Sequence, residues 1–141
     1  TVQELLSLSV DTHALFRVDA KSLGSYVQEL ISLFGLEELL PRKLVSLSDG
    51  QYQLVSIVFA LSRQTAIVLL DEPLAFLDFR NRKRFMEIFF QLVQRENRLI
   101  IFSSHDLAVL NKCNQLWHIH AKGLHVVQEK EIVSFCDQLM L

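Results

Sequence analysis

The run AIVLL at residues 66–70, followed at once by Asp71, Glu72 and Pro73, constrains this chain more than any other stretch. Such an unbroken, partly β-branched apolar run is strand-sized, and it reads as a strand buried on both faces of a parallel sheet. The carboxylates that follow it lie where open α/β sheets gather their ligands. A second run of this kind, RLIIFSS at 98–104, ends in His105, again at a strand's carboxyl end. Between the two, Phe85, Ile88, Phe89, Leu92 and Val93 recur at helical spacing and predict an amphipathic helix over about 81–96. Strand, helix and strand in this order make an α/β core.

Upstream of that core the pattern is helical. Val2, Leu5, Leu6 and Leu8 predict a short helix over 2–9, and residues 10–22 read as a connection without period. Val27, Leu30, Ile31 and Phe34 fall at i, i+3, i+4 and i+7, which predicts a helix over 23–34 with Gly35 as its stop. LEELL predicts a short helix closed by Pro41, and Leu54, Ile57, Val58 and Leu61 mark one face of a helix from Gln51 to Arg63. Downstream, a helix near 106–113 is expected. Strands near 115–119 and 123–127 follow around a turn at Lys122–Gly123, and a terminal helix runs from about 129. The Phe set at 85, 89 and 90 reads as core.

Composition narrows the function. The chain has 141 residues, half of them hydrophobic and about a fifth charged, so it can bury a core within one domain. Its net charge of -2 gives no electrostatic reason to expect nucleic acid. Cys113 and Cys136 lack metal-ligand spacing and read as free thiols in a reducing compartment. No apolar run approaches the roughly 20 residues that cross a bilayer. The opening TVQELLSLSV also lacks the basic region of a secretory signal. The expectation is a soluble, cytoplasmic chain that reaches a membrane only through a partner.

The chemistry-bearing residues form an ordered set. An Asp at the position of Asp71 can hold a magnesium ion through water, and a Glu beside it can orient and deprotonate a water for attack on a phosphoryl group. Taken alone, such a pair is more simply the wet end of a strand. SLSDGQ precedes a helix, whose unpaired amides and positive end favour a phosphate. Ser48 adds a hydroxyl donor and Gly50 permits close backbone approach. Taken alone, Ser48-Asp49-Gly50 is an ordinary helix cap. His105 can contact a terminal phosphate or fix an attacking water; alone it is a loop histidine. RNRKR at 80–84 reads as a solvated helix face rather than a nucleic-acid signal. His118 and His120 share a strand face but lack a third ligand at suitable spacing.

In order and spacing, these elements resemble the nucleotide-binding domain of the ATP-binding-cassette (ABC) family. LSDGQ at 47–51 resembles the family signature, usually Leu-Ser-Gly-Gly-Gln, and IVLLDE at 67–72 resembles the Walker B strand with its catalytic glutamate. PLAFLD at 73–78 resembles the D-loop, SSHD at 103–106 the switch-histidine loop, and TVQELL the stretch after the glutamine loop. The resemblance implies a partial P-loop NTPase (RecA-like) core of α/β class with a helical subdomain. Residues 1–65 would be the helical, signature-bearing part, and 66–141 the carboxyl-terminal part of the ATPase core.

In that family two domains meet head to tail, and the signature of one closes over the ATP held by the other. The resemblance therefore implies that Ser48, Asp49, Gly50 and Gln51 meet a partner's ATP. It implies that Asp71 serves Mg2+, that Glu72 and His105 are catalytic, and that Asp78 couples the two sites. The implied function is ATP hydrolysis powering an ABC transporter, closest to importers of iron-siderophore complexes, haem or cobalamin. Its partners would be a second ABC ATPase domain and an integral membrane permease, on the inner face of the cell membrane.

The sequence departs from the family pattern at the phosphate loop, at Asp49, and at Tyr52, where many relatives carry a basic residue. No Gly-x-x-x-x-Gly-Lys-Ser/Thr occurs, so the phosphate-cradling loop is not within these residues, which alone are not expected to hold ATP tightly; their sheet is expected to lack central strands and leave apolar faces bare. Asp49 replaces a glycine and brings a carboxylate toward phosphates, which weakens closure unless it points to solvent. Two other readings are open: a soluble ABC ATPase of the repair or translation kind, and a non-catalytic module lending its signature to a complete partner.

Overall fold

The computed structural model describes residues 1–9, 23–96, 98–110 and 112–139. The connection expected over 10–22 lies outside them. The chain divides into two compact units, Thr1–Ser103 and Ser104–Leu141.

The first unit contains helices α1 (Val2–Ser7), α2 (Ser25–Phe34), α3 (Asp49–Ser62) and α4 (Phe79–Glu96), and strands β1 (Ile67–Leu70) and β2 (Leu99–Phe102). Each predicted helix is present, with ends moved by a residue or two. LEELL is the exception, tightening into a single 3₁₀ turn at Glu37–Leu39. Gly35 ends α2 because its φ of 68° is left-handed, a conformation that costs glycine nothing, and its N–H caps the carbonyls of Ile31 and Ser32. The apolar face of α2 (Val27, Leu30, Ile31, Phe34) is fully buried, as are Val55, Ile57, Val58 and Leu61 of α3. A line of rings joins α2, α4 and β2. Phe34 and Phe85 lie 5.8 Å apart, Phe85 and Phe89 5.3 Å, and Phe89 and Phe102 5.7 Å. Phe85 and Phe89 are core as expected, while Phe90 is only half-buried.

β1 and β2 pair in parallel, with Ile67 opposite Leu99 and Leu69 opposite Ile101. Here the structure departs from the run read alone and agrees with the expectation of bare apolar faces on an incomplete sheet. β1 is not buried on both faces: Val68 is 4% exposed, but Ile67 and Leu69 on the opposite face are 56% and 71% exposed, and Leu99 beside them is 55% exposed. The reason is that helices cover only one face of the pair, and among the described residues no further strand joins either edge.

A polar cluster ties the helices of this unit to its sheet. The Arg98 side chain, only 7% exposed, donates to the carbonyls of Thr65 (2.8 Å) and Leu61 (3.1 Å) and to the carboxylate of Glu96 (2.9 Å). Tyr26, on α2, donates its hydroxyl to the same carboxylate at 2.8 Å, and Arg95 bridges Glu96 to Glu29. Burial, reinforced by the hydrogen bond to Glu96, pushes the Tyr26 hydroxyl up to about 12. At Glu96, burial alone would raise the carboxyl, but the bonds from Arg95, Tyr26 and Arg98 outweigh it and hold the group below the usual glutamate range.

The second unit comprises α5 (Leu107–Leu110), the antiparallel hairpin β3 (Leu116–His120) and β4 (Gly123–Val127), and α6 (Ile132–Leu139). Leu116, Val127, Ile132 and Cys136 form its core, with Leu110 and Phe135 packed against them. Both cysteines are free thiols, and burial raises each above its ordinary value.

Candidate functional site

The amino end of α3 is built by a reciprocal cap. Gln51 donates its N–H to the Ser48 hydroxyl at 3.3 Å, and Ser48 donates its N–H to the Gln51 side-chain oxygen at 3.1 Å. Such a Ser-x-x-Gln box fixes where the helix begins. The first intrahelical bond is that of the Tyr52 N–H to the Ser48 carbonyl, 2.8 Å, so the amides of Asp49 and Gly50 precede it. Ser48 and Asp49 are exposed and Gly50 and Gln51 partly so; the cap faces outward. Asp49 sits in the first turn, where a carboxylate complements the helix dipole.

Gly50 has a second constraint. A Cβ at this position would lie 2.8 Å from the carbonyl oxygen of Phe76, below any real contact. The segment after Glu72 thus lies directly against the first turn of α3. Gly50→Ala should force the two apart and destabilise the fold by about 1–3 kcal/mol. A urea midpoint equal to that of the parent chain would contradict this packing.

Asp71 and Glu72 stand at the carboxyl end of β1, and Ser103, at the carboxyl end of β2, holds both. The Ser103 hydroxyl donates to Asp71 Oδ1 at 2.6 Å and accepts the Glu72 N–H at 2.8 Å, while the Ser103 N–H donates to the Leu70 carbonyl at 3.0 Å. Glu72 has a φ of 42°, a left-handed conformation uncommon for glutamate. Strain of this kind costs on the order of 1–3 kcal/mol and persists only where neighbours impose it. The neighbours are visible. Beyond Ser103, Gln53 on α3 donates its side-chain amide to the Glu72 carbonyl at 3.4 Å, the Ala75 N–H donates to the same carbonyl at 3.1 Å, and Pro73 is buried. Asp71 is exposed and Glu72 half-buried.

Asp78 begins α4. Its two carboxylate oxygens accept from the Asn81 N–H and the Asn81 side-chain amide, each at 2.8 Å. Phe76 and Phe79 beside it are 61% and 83% exposed. His105 belongs to the second unit, exposed in the segment ahead of α5, where the Asp106 N–H donates to the Ser104 hydroxyl at 3.1 Å. The structure therefore brings Ser48, Asp49, Gly50, Gln51, Asp71, Glu72 and Asp78 into one unit; His105 is in the other.

Sequence reasoning missed Ser103 and Gln53. Ser103 lies inside the SSHD motif and could have been found from the rule that adjacent parallel strands end together. Gln53 carries no local signal. The His118 and His120 rings stack 5.5 Å apart, but no group of three or more His, Cys, Asp or Glu among the described residues is placed to hold a metal. Within RNRKR, Arg84 donates to the Leu33 carbonyl at 3.2 Å, so this part of the stretch braces α4 against α2.

Comparison with known proteins adds lineage to this geometry. The family described as "AAA domain, putative AbiEii toxin, Type IV TA system" matches residues 7–111. The "Probable siderophore transport system ATP-binding protein YusV" of Bacillus subtilis (strain 168) is 32% identical over 114 residues, covering 79% of this chain and 41% of the relative. The "Energy-coupling factor transporter ATP-binding protein EcfA2" of the same strain is 39% identical over 93 residues, covering 65% of this chain and 34% of the relative. In fold, the dimeric, post-hydrolysis structure of the ATP-binding cassette MJ0796 bound to ADP and Pi superposes with a TM-score of 0.74. It is 21% identical, with 92% of this chain and 56% of that chain covered. The chain thus spans about two fifths or less of the length of these curated relatives.

Proposed function

Because this chain belongs to the P-loop AAA domain family and is similar to ATP-binding-cassette transporter ATPases, we propose that it is the signature-bearing, carboxyl-terminal part of a transporter's ATP-hydrolysing subunit. The observation that carries the proposal is the junction around Glu72. Ser103 locks Asp71 and Glu72 at the carboxyl end of a parallel strand pair, and Gln53 ties that point to the helix whose open amino end bears Ser48 and Gly50.

In this reading Glu72 is the general base, its carboxylate aimed by the left-handed backbone that Ser103 and Gln53 impose. Asp71, with one oxygen engaged by Ser103, would help to hold Mg2+, a hard cation suited to carboxylate oxygen. That ion would neutralise charge on the ATP phosphates. Ser48, Asp49, Gly50 and Gln51 would face the triphosphate held by a second cassette. The free amides of the first turn would bind the γ-phosphate, and Asp49 would oppose it. His105 would serve the chain's own nucleotide and Asp78 would couple the two sites, with residues 1–65 and 66–141 keeping the division inferred from sequence.

The likeness to YusV supports import of an iron complex as the cargo class, with haem and cobalamin as the related alternatives. No described helix is long and apolar enough to cross a membrane, so a permease would supply the path and hold the subunit at the inner membrane face. A net charge of -2 favours this over nucleic-acid partners.

The test is to place Ser48→Arg in a complete cassette carrying this chain. It should leave ATP affinity of the isolated protomer unchanged and abolish ATP-driven dimerisation in size-exclusion chromatography. Lost affinity in the isolated protomer, with dimerisation retained, would contradict the reading.

A further inference from the structure

A parallel ladder that runs from the Ser103 N–H to the Leu70 carbonyl has its next rung from the Glu72 N–H to the Ser103 carbonyl. Here the chain turns left-handed at Glu72, with a φ of 42°, and the Ser103 hydroxyl takes the Glu72 N–H at 2.8 Å. A hydroxyl has one proton to give. Because the Glu72 N–H is itself a donor, that proton goes to Asp71 Oδ1, at 2.6 Å. One side-chain oxygen thus accepts from the backbone of one acid and donates to the carboxylate of the other. Packing does not account for the arrangement, because Ser103 is exposed. Its neighbour Ser104 shows the ordinary alternative, a hydroxyl that accepts the Asp106 N–H within its own loop.

We infer that Ser103 is a positioning residue of the proposed hydrolytic site: its single hydroxyl sets the Asp71 carboxylate and the Glu72 backbone together. The acid that would hold Mg2+ and the acid that would activate water then keep one fixed relation. A ligating carboxylate is oriented by its own hydrogen-bond partners, and losing one costs about 10–100-fold in metal affinity or activity. The inference rests on the proposed function and goes beyond it in making metal affinity depend on a residue other than the ligand.

The experiment places Ser103→Ala, Ser103→Val and Ser103→Thr in a complete cassette carrying this chain. Threonine keeps the hydroxyl, valine has the shape of threonine without it, and the exposed position leaves room for the added methyl. Electron paramagnetic resonance of Mn2+ titrated into the ATP-loaded protein reads metal affinity apart from turnover. Alanine and valine should each weaken Mn2+ binding and lower kcat by about 10–100-fold, with metal-free ATP affinity unchanged. Without metal or nucleotide, the Glu72 amide should exchange faster in both. Threonine should restore all three readings. Parent-like Mn2+ affinity in the alanine and valine variants, or a threonine variant no better than valine, would overturn the inference. Asp71→Asn separates this from the reading beneath it. Mn2+ binding weakened there but not in Ser103→Ala sinks the role of Ser103 alone, whereas Mn2+ affinity unmoved by Asp71→Asn sinks both.

Discussion

Glu72→Gln, placed in a complete cassette carrying this chain, leaves ATP binding unchanged and lowers the single-turnover hydrolysis rate by about 10²–10⁴-fold, the contribution of a positioned general base. The substitution is close to isosteric, and neighbours hold the backbone of residue 72. Its N–H is held by Ser103, its carbonyl by Gln53 and Ala75, and the next residue is a buried proline. What changes is proton affinity, since an amide cannot accept the proton of an attacking water. Nucleotide titration and rapid-quench hydrolysis of one preparation separate the two effects. If hydrolysis continued at near the parent rate, Glu72 would not be the base, and its strained φ of 42° would need another explanation.

Arg98→Met unfolds the first unit more readily, by roughly 3 kcal/mol, as expected when one partner of a buried, hydrogen-bonded charge cluster is removed. Methionine preserves most of the stem's packing but leaves the Thr65 carbonyl without its donor, the Leu61 carbonyl with backbone donors only, and Glu96 without one of its partners. Lysine should not rescue it, because a point charge cannot serve several acceptors from one planar group. The same cluster sets an acid limit. Because Glu96 is held below its ordinary value when folded, its stabilisation is complete above the normal glutamate range and is lost as pH falls through the lowered value. Urea midpoints should therefore drop on acidification in the parent chain and drop less in Glu96→Gln. An Arg98→Met midpoint within error of the parent would show that the cluster adds nothing.

The helices were legible because their cores are local. The i, i+3, i+4, i+7 spacing on α2 and α3 and the glycine stop at Gly35 are properties of consecutive residues, and all the predicted positions are buried or turned as that spacing requires except Leu54, which is half-buried. The Ser48 cap was legible for the same reason. The exposed face of β1 was not legible in AIVLL itself, which reads identically whether one face is covered or two; it followed only from the missing phosphate-loop strands. Arg98 was missed because its partners on α2 and at the end of α3 lie far away in sequence, and nothing in RLIIFSS announces them. Asp78 was read only as a coupling acid, yet the Asp78-to-Asn81 spacing also encodes an amino cap, and each of its oxygens accepts one bond there. Within the site, the types and order of the acids were readable, but the serine that aligns them was not, since alignment is a property of two strands.

In the proposed dimer each nucleotide is served by Glu72 of the protomer holding it and by Ser48 of the other. Single-turnover hydrolysis by mixed dimers tests this directly. With Ser48→Arg on one protomer and Glu72→Gln on its partner, one site keeps both its own glutamate and a facing serine, so hydrolysis persists. With both substitutions on the same protomer, each site lacks one of the two, and hydrolysis is lost. The reverse order, loss when the lesions are split and activity when they are combined, would show that each protomer works within itself and would contradict the account.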